Sequence, residues 1–155
     1  MLNLLLGICI VLADAATKLL AIRYLMPVDT LPLWEGIFHL TYVENRGAAF
    51  GMMQGGRVFF IVISILIIGA MLYVAKRYKN RSRFLDHGIV FITAGAIGNM
   101  IDRIFRGFVV DFLDFCLIDY PVFNVADIFV CIGAGLVAIF IIFFEDKKDC
   151  KKNEN

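Results

Sequence analysis

The sequence predicts an all-α membrane protein with four transmembrane helices and a small extracytoplasmic β element between helices 1 and 2. Three observations carry this. The 155 residues are 61% hydrophobic with a mean hydropathy of +0.82, too apolar for a soluble domain of this length. The apolar residues come in four blocks, about 2–22, 58–75, 85–105 and 125–144, each close to the roughly 20 residues that span a bilayer. Between the first two blocks, about 28–56, the pattern changes to alternation. One domain over 1–155 accounts for the whole.

The first block imitates a leader, since Ala13 and Ala15 resemble a small-residue cleavage site. Met1, Leu2 and Asn3 supply no basic n-region, so the block is read as a helix. Orientation follows from the basic residues. KRYKNRSR carries Lys76, Arg77, Lys79, Arg81 and Arg83, and the tail carries Lys147, Lys148, Lys151 and Lys152. The connection after Arg106 carries Asp111, Asp114 and Asp119 and no base up to Val122. By the positive-inside rule, both termini are expected in the cytoplasm and the two longer connections outside.

That topology gathers the polar residues. At 1.5 Å per helical residue, Asp14 and Lys18 lie roughly 18–24 Å along the first helix, and Asn99, Asp102 and Arg103 roughly 21–27 Å along the third. Asp127 lies about 25 Å from the cytoplasmic end of the fourth. All fall at the outer end. The inner halves are apolar apart from Cys9, Ser64 and Thr93, which argues against a channel or proton-coupled transporter, whose polar groups belong at or across the midplane. Asp14 and Lys18, four apart with the acid first, can pair on one face. Asn99, Asp102 and Arg103 share a face on a helix where Gly95 and Gly98 permit close approach. Asn124 and Asp127 repeat the arrangement. Each set could be purely architectural, and Arg103 is expected to pair with a buried or interfacial carboxylate.

In the first outward connection, Phe38, Leu40 and Tyr42 alternate with Ile37, His39, Thr41 and Val43, which predicts a strand with one buried face. NRG signals a turn, and a second extended piece is expected around AAFG. Trp34, Phe38, Tyr42 and Phe50 suit a membrane interface.

The chemistry open to the outer end is limited. Ser64 and Ser82 are poorly placed as nucleophiles. His39 and His87 fall on opposite sides, there is no HExxH or CxxC, Cys116 has no clear base, and no metal is expected. Carboxylates remain. Asp127 with a second aspartate could share a proton, one carboxyl activating water while the other donates to a carbonyl. FRGFVVDFLDF offers Asp111 and Asp114, between which spacing does not choose. The alternative is a non-enzymatic lipid-binding or assembly subunit whose ion pairs only specify helix packing.

DAATK at 14–18, NRGAAFG at 45–51, GNMIDR at 98–103, VVDF at 109–112 and FNVAD at 123–127 occur in the order in which similar motifs occur in the lipoprotein signal peptidases. The chain resembles that family, signal peptidase II, over nearly its whole length. The resemblance implies an aspartic endopeptidase of the bacterial plasma membrane, its site at the extracytoplasmic face, which cuts the signal peptide from a diacylglyceryl-modified prolipoprotein just before the lipidated cysteine. It implies Asp111 and Asp127 as the catalytic pair. Asn45, Asn99, Asp102, Arg103 and Asn124 match positions that line or brace the site, and Asp14 and Lys18 match supporting ones. Ile128 stands where many relatives have serine, and the short step from Asp111 to Asp127 implies a trimmed loop. The expected partners are lipid-modified prolipoproteins and membrane phospholipid, with no nucleic acid. No cofactor is required, and a monomer is expected.

Overall fold

The computed structural model describes residues 2–47, 55–78, 82–118 and 120–145. The expected extended piece at AAFG, the interfacial Phe50, Lys79, Arg81, Asp119, Cys150 and the lysines of the tail lie outside the described residues.

Among the described residues four helices are long and apolar enough to cross a membrane: α1 (Leu2–Tyr24), α2 (Arg57–Arg77), α3 (Arg83–Phe105) and α4 (Val125–Phe140), which a wider π-type turn extends over Ile141–Glu145. Their sides divide by chemistry. α3 is the central helix, touching α1, α2 and α4, and beside Leu85, Ile89 and Ile92 its buried positions are small or polar: Gly88, Ala94, Gly95, Ala96, Gly98 and Asp102. A Cβ at Gly88 would fall 3.0 Å from the Gly133 carbonyl oxygen, and one at Gly133 would fall 2.9 Å from that of Gly88. Only backbone fits at this crossing, so α3 and α4 meet through a small-residue contact. α2, by contrast, buries Ser64 alone and presents Val58, Val62, Ile65 and Leu66 outward, as a lipid-facing helix must.

The β element is larger than the sequence suggested. β1 (Thr30–Trp34) and β2 (Phe38–Asn45) form a hairpin, and β3 (Val109–Asp114), which follows α3, pairs antiparallel with β2 to give the order β1-β2-β3. Leu40 faces Leu113 and Val43 faces Asp111, so β2 carries one extra residue between these pairs. This bulge breaks the expected alternation, and Phe38 through Val43 are all half-buried. β1 is exposed throughout, Trp34 included. Beyond β3, Phe123 exchanges backbone hydrogen bonds with Leu113 at 2.8 and 3.0 Å, so the chain enters α4 fastened to the sheet. Every strand among the described residues therefore sits at the bundle end opposite the C-terminus of α2, and Val110 and Phe112 pack there with Ala21 of α1 and with Leu25 just beyond it.

Candidate active site

Asn124 occupies the junction between sheet and bundle and is fully buried. As N-cap of α4, its side-chain oxygen accepts from Asp127 N at 3.0 Å, while Asp127 Oδ2 accepts from Asn124 N at 3.2 Å. This reciprocal box satisfies two of the donors a helix start leaves free. A third, Ala126 N, donates to Asp14 Oδ1 of α1 at 2.9 Å. The helix that carries Asp127 is thus capped by its own asparagine and by a carboxylate from another helix.

Because the Asn124 oxygen is committed to the cap, its nitrogen must point the other way. It donates to Asp111 Oδ1 at 2.6 Å and to Asn99 Oδ1 at 3.1 Å. Asn45 approaches Asp111 from β2 under the same constraint: its oxygen accepts from Gly47 N at 3.0 Å, so its nitrogen donates to Asp111 Oδ2 at 2.9 Å. Asn99 is oriented by charge. Lys18 Nζ can only donate, and does so to Asn99 Oδ1 at 2.9 Å, which turns the amide nitrogen toward Asp127 Oδ1 at 2.7 Å. Three asparagines with fixed orientation thereby hold Asp111 and Asp127 beside one another.

Behind them lies a buried ionic cluster. Lys18, 1% exposed, bonds Asp14 at 2.8 Å and Asp102 at 3.0 Å. Asp102 also accepts from Val110 N at 3.2 Å and from Arg106 at 3.0 Å, which anchors the start of β3 next to Asp111. The expected Asp14–Lys18 pair is present, but Arg103 differs from expectation. Among the described residues it closes no ion pair. It donates to the carbonyls of Gly47 at 3.3 Å and Asn99 at 3.5 Å, with Phe60 beneath its guanidinium at 4.9 Å. The arginine that pairs with Asp102 is Arg106, four residues on, which the sequence reading did not single out.

Asp111 and Asp114 are three apart on one strand and so face opposite ways. Asp111 is buried between the asparagines; Asp114 is half-buried and accepts from Thr41 at 2.7 Å. Burial, and after it the charge of Asp127, push the Asp111 carboxyl up to about 7, against the opposing pull of Asn45, Asn124 and Lys18. A buried carboxyl titrating near neutrality beside a second carboxyl is suited to holding and passing a proton. His39, Asp114 and Cys116, which the reaction of a carboxyl pair does not involve, place their ligand-type atoms within 4.8 Å of one another.

Comparison with known proteins identifies the family. The family model described as signal peptidase (SPase) II matches residues 6–143. The lipoprotein signal peptidase of Clostridioides difficile is 43% identical over 95% of this chain and 99% of its own. That of Caldanaerobacter subterraneus subsp. tengcongensis is 46% identical over 86% and 91%. Two solved structures, each described as a bacterial membrane enzyme structure by the in meso method, superpose with TM-scores of 0.79 and 0.82 at 32% identity. They cover 95% and 92% of this chain and 90% and 93% of their own. The chain therefore belongs to the signal peptidase II family, and is a multi-pass bacterial membrane peptidase of the aspartic type.

Proposed function

We propose that this enzyme removes the signal peptide from diacylglyceryl-modified prolipoproteins, cutting before the lipidated cysteine with a water activated by Asp111 and Asp127. The observation that carries the reading is the convergence on Asn124. Its side-chain nitrogen bonds Asp111, and its oxygen and backbone N–H bond Asp127, so one residue couples the two carboxyls. Sharing one proton, the pair supplies both halves of the reaction. The ionised carboxyl takes a proton from water as it attacks the scissile carbonyl, and the protonated one donates to the carbonyl oxygen. Collapse of the tetrahedral species returns a proton to the departing amine. Asp111, pushed up to about 7, is suited to carry the shared proton.

Asn45 and Asn99 keep acceptors of the pair aligned, while Asp14, Lys18 and Asp102 hold α1, α3, α4 and β3 in register around it. Arg103 secures Gly47, at the exit of β2, over α3. All these groups come from one chain, which favours a monomer. The exposed apolar β1 hairpin and the outward face of α2 favour a bilayer setting in which membrane phospholipid surrounds the site. Lys76, Arg77 and Arg83 lie at the other end, which favours a cytoplasmic location for both termini and an extracytoplasmic site. A reporter between Leu117 and Tyr120 should read outside and one after Asn155 inside; the reverse would overturn this orientation.

The test is cleavage by purified protein of a diacylglyceryl-modified prolipoprotein beside the same precursor without lipid. Release of a mature chain beginning at the lipidated cysteine, from the modified precursor alone, is expected. Cleavage at another bond, or equal cleavage of both precursors, would overturn the reading.

A further inference from the structure

Three side chains that the proposed reaction does not use meet at the edge of the sheet. His39 of β2 stands directly opposite Asp114 of β3, and Cys116 follows two residues on. One ligand-type atom from each lies within 4.8 Å of the other two. The Nε2 atom of His39 is enclosed and has no hydrogen-bond partner among the described residues, an unsatisfied polar atom that calls for an explanation. All three residues are half-buried. Thr41 donates to Asp114 Oδ2 at 2.7 Å and fixes its carboxylate, as ligating carboxylates are commonly fixed by a neighbour. The rings of Phe38 and Phe115, next in sequence to His39 and Cys116, meet edge to face at 5.6 Å.

We propose that His39, Asp114 and Cys116 form a binding site for a divalent transition metal of the zinc type, with a fourth position left to water. The donor set is one imidazole nitrogen, one carboxylate oxygen and one thiolate sulfur, a mixture that suits zinc and disfavours magnesium or calcium. Metal–ligand bonds of 2.0–2.3 Å set tetrahedral ligand separations of roughly 3.3–3.6 Å. Atoms already within 4.8 Å reach that spacing by side-chain rotation of about 1.5 Å or less. Binding displaces the thiol proton to solvent, with no change in oxidation state. The sequence hid this site because His39 lies on β2, 75 residues before Asp114 at the end of β3, with Cys116 in the turn that follows, in no metal-motif spacing.

The test uses untagged full-length protein in detergent, stripped with chelator. It is titrated with Zn²⁺ against a chromophoric competitor, and separately with Co²⁺ followed by absorption. One Zn²⁺ per chain is expected, and Co²⁺ should give a thiolate-to-metal charge-transfer band with tetrahedral d–d bands. Cys116→Ser should abolish the charge-transfer band, weaken Zn²⁺ binding by at least roughly 10–100-fold, and leave helical circular dichroism and metal-free cleavage unchanged. His39→Gln should weaken binding similarly, whereas Cys9→Ser, Cys131→Ser and Cys150→Ser should not. Absence of stoichiometric binding to wild type, or a charge-transfer band that survives Cys116→Ser, would overturn the proposal.

Discussion

Asn124 donates to Asp111 at 2.6 Å with the nitrogen of the same amide whose oxygen caps α4 at Asp127 N. Helix capping and alignment of the carboxyls are thus one structural device, and substitution can separate them. Asn124→Asp retains a good N-cap acceptor but replaces the donor facing Asp111 with a carboxylate oxygen. It should lose most of its activity and, although the helix cap is kept, also lose stability, because a second carboxyl is then buried against Asp111. Asn124→Ala should lose activity and also about 1 kcal/mol or more of stability. Comparable activity in Asn124→Asp and wild type would show that the nitrogen does not align Asp111.

Lys18 is the only lysine among the described residues that is buried, and it neutralises Asp14 and Asp102 together. Lys18→Met should cost about 3–5 kcal/mol, because Asp14 is left without a counter-ion and Asp102 keeps only Arg106. Adding Asp14→Asn should recover part of that loss. Thermal unfolding of the single and double variants measures both, and independent, additive effects would contradict a shared cluster.

The close approach of α1 to α3 gives a sharper steric test. A Cβ at Gly98 would sit 2.5 Å from Asp14 Oδ2, whereas nothing lies within 4 Å of one at Gly69 or Gly135. Gly98→Ala should destabilise by about 1–3 kcal/mol and impair activity by displacing the Asp14 cap of α4. Gly69→Ala and Gly135→Ala should be neutral or slightly stabilising, since alanine is the better helix former. A tolerated Gly98→Ala would mean that the helices are further apart.

These predictions rest on features of unequal legibility. The helices were readable because long apolar blocks have few alternatives, and the clustering of Asp14, Lys18, Asn99, Asp102 and Asp127 followed from depth along those helices. β3 was not readable as a strand: Val109 through Phe112 are all buried, so VVDF lacks the alternation that marks a half-exposed strand. Its pairing with β2, which separates Asp111 from Asp114 by face, joins segments 64 or more residues apart and leaves no local trace. The same holds for His39 beside Cys116. Arg103 was expected to bond a buried or interfacial carboxylate, but it diverges on the helix from the adjacent Asp102, and Arg106 at i+4 takes that partner.

The Asp111 carboxyl makes stability depend on pH with a definite sign. Its value is raised from 3.8 to about 7, chiefly by burial and next by the charge of Asp127. The folded state therefore holds a proton that the unfolded chain releases between these values. The stability this contributes is fully present below about pH 4 and lost as pH rises through about 7. The wild-type unfolding midpoint in detergent should include this decline, and Asp111→Asn should flatten it across the same window. An equally steep decline in Asp111→Asn would assign it to other groups.

The central claim, that Asp111 and Asp127 act as one proton-sharing pair, is tested most directly by cleavage of diacylglyceryl-modified prolipoprotein by Asp111→Asn, Asp127→Asn and the double variant. Each must first be shown to be folded by helical circular dichroism. Either single change should lower the rate by roughly a thousandfold or more, and the double variant should be hardly worse than either single one, since groups acting as a unit are not additive. Asp114→Asn should retain substantial activity. A folded Asp127→Asn enzyme that cleaves at close to the wild-type rate would contradict the account and leave Asp127 as a structural cap of α4.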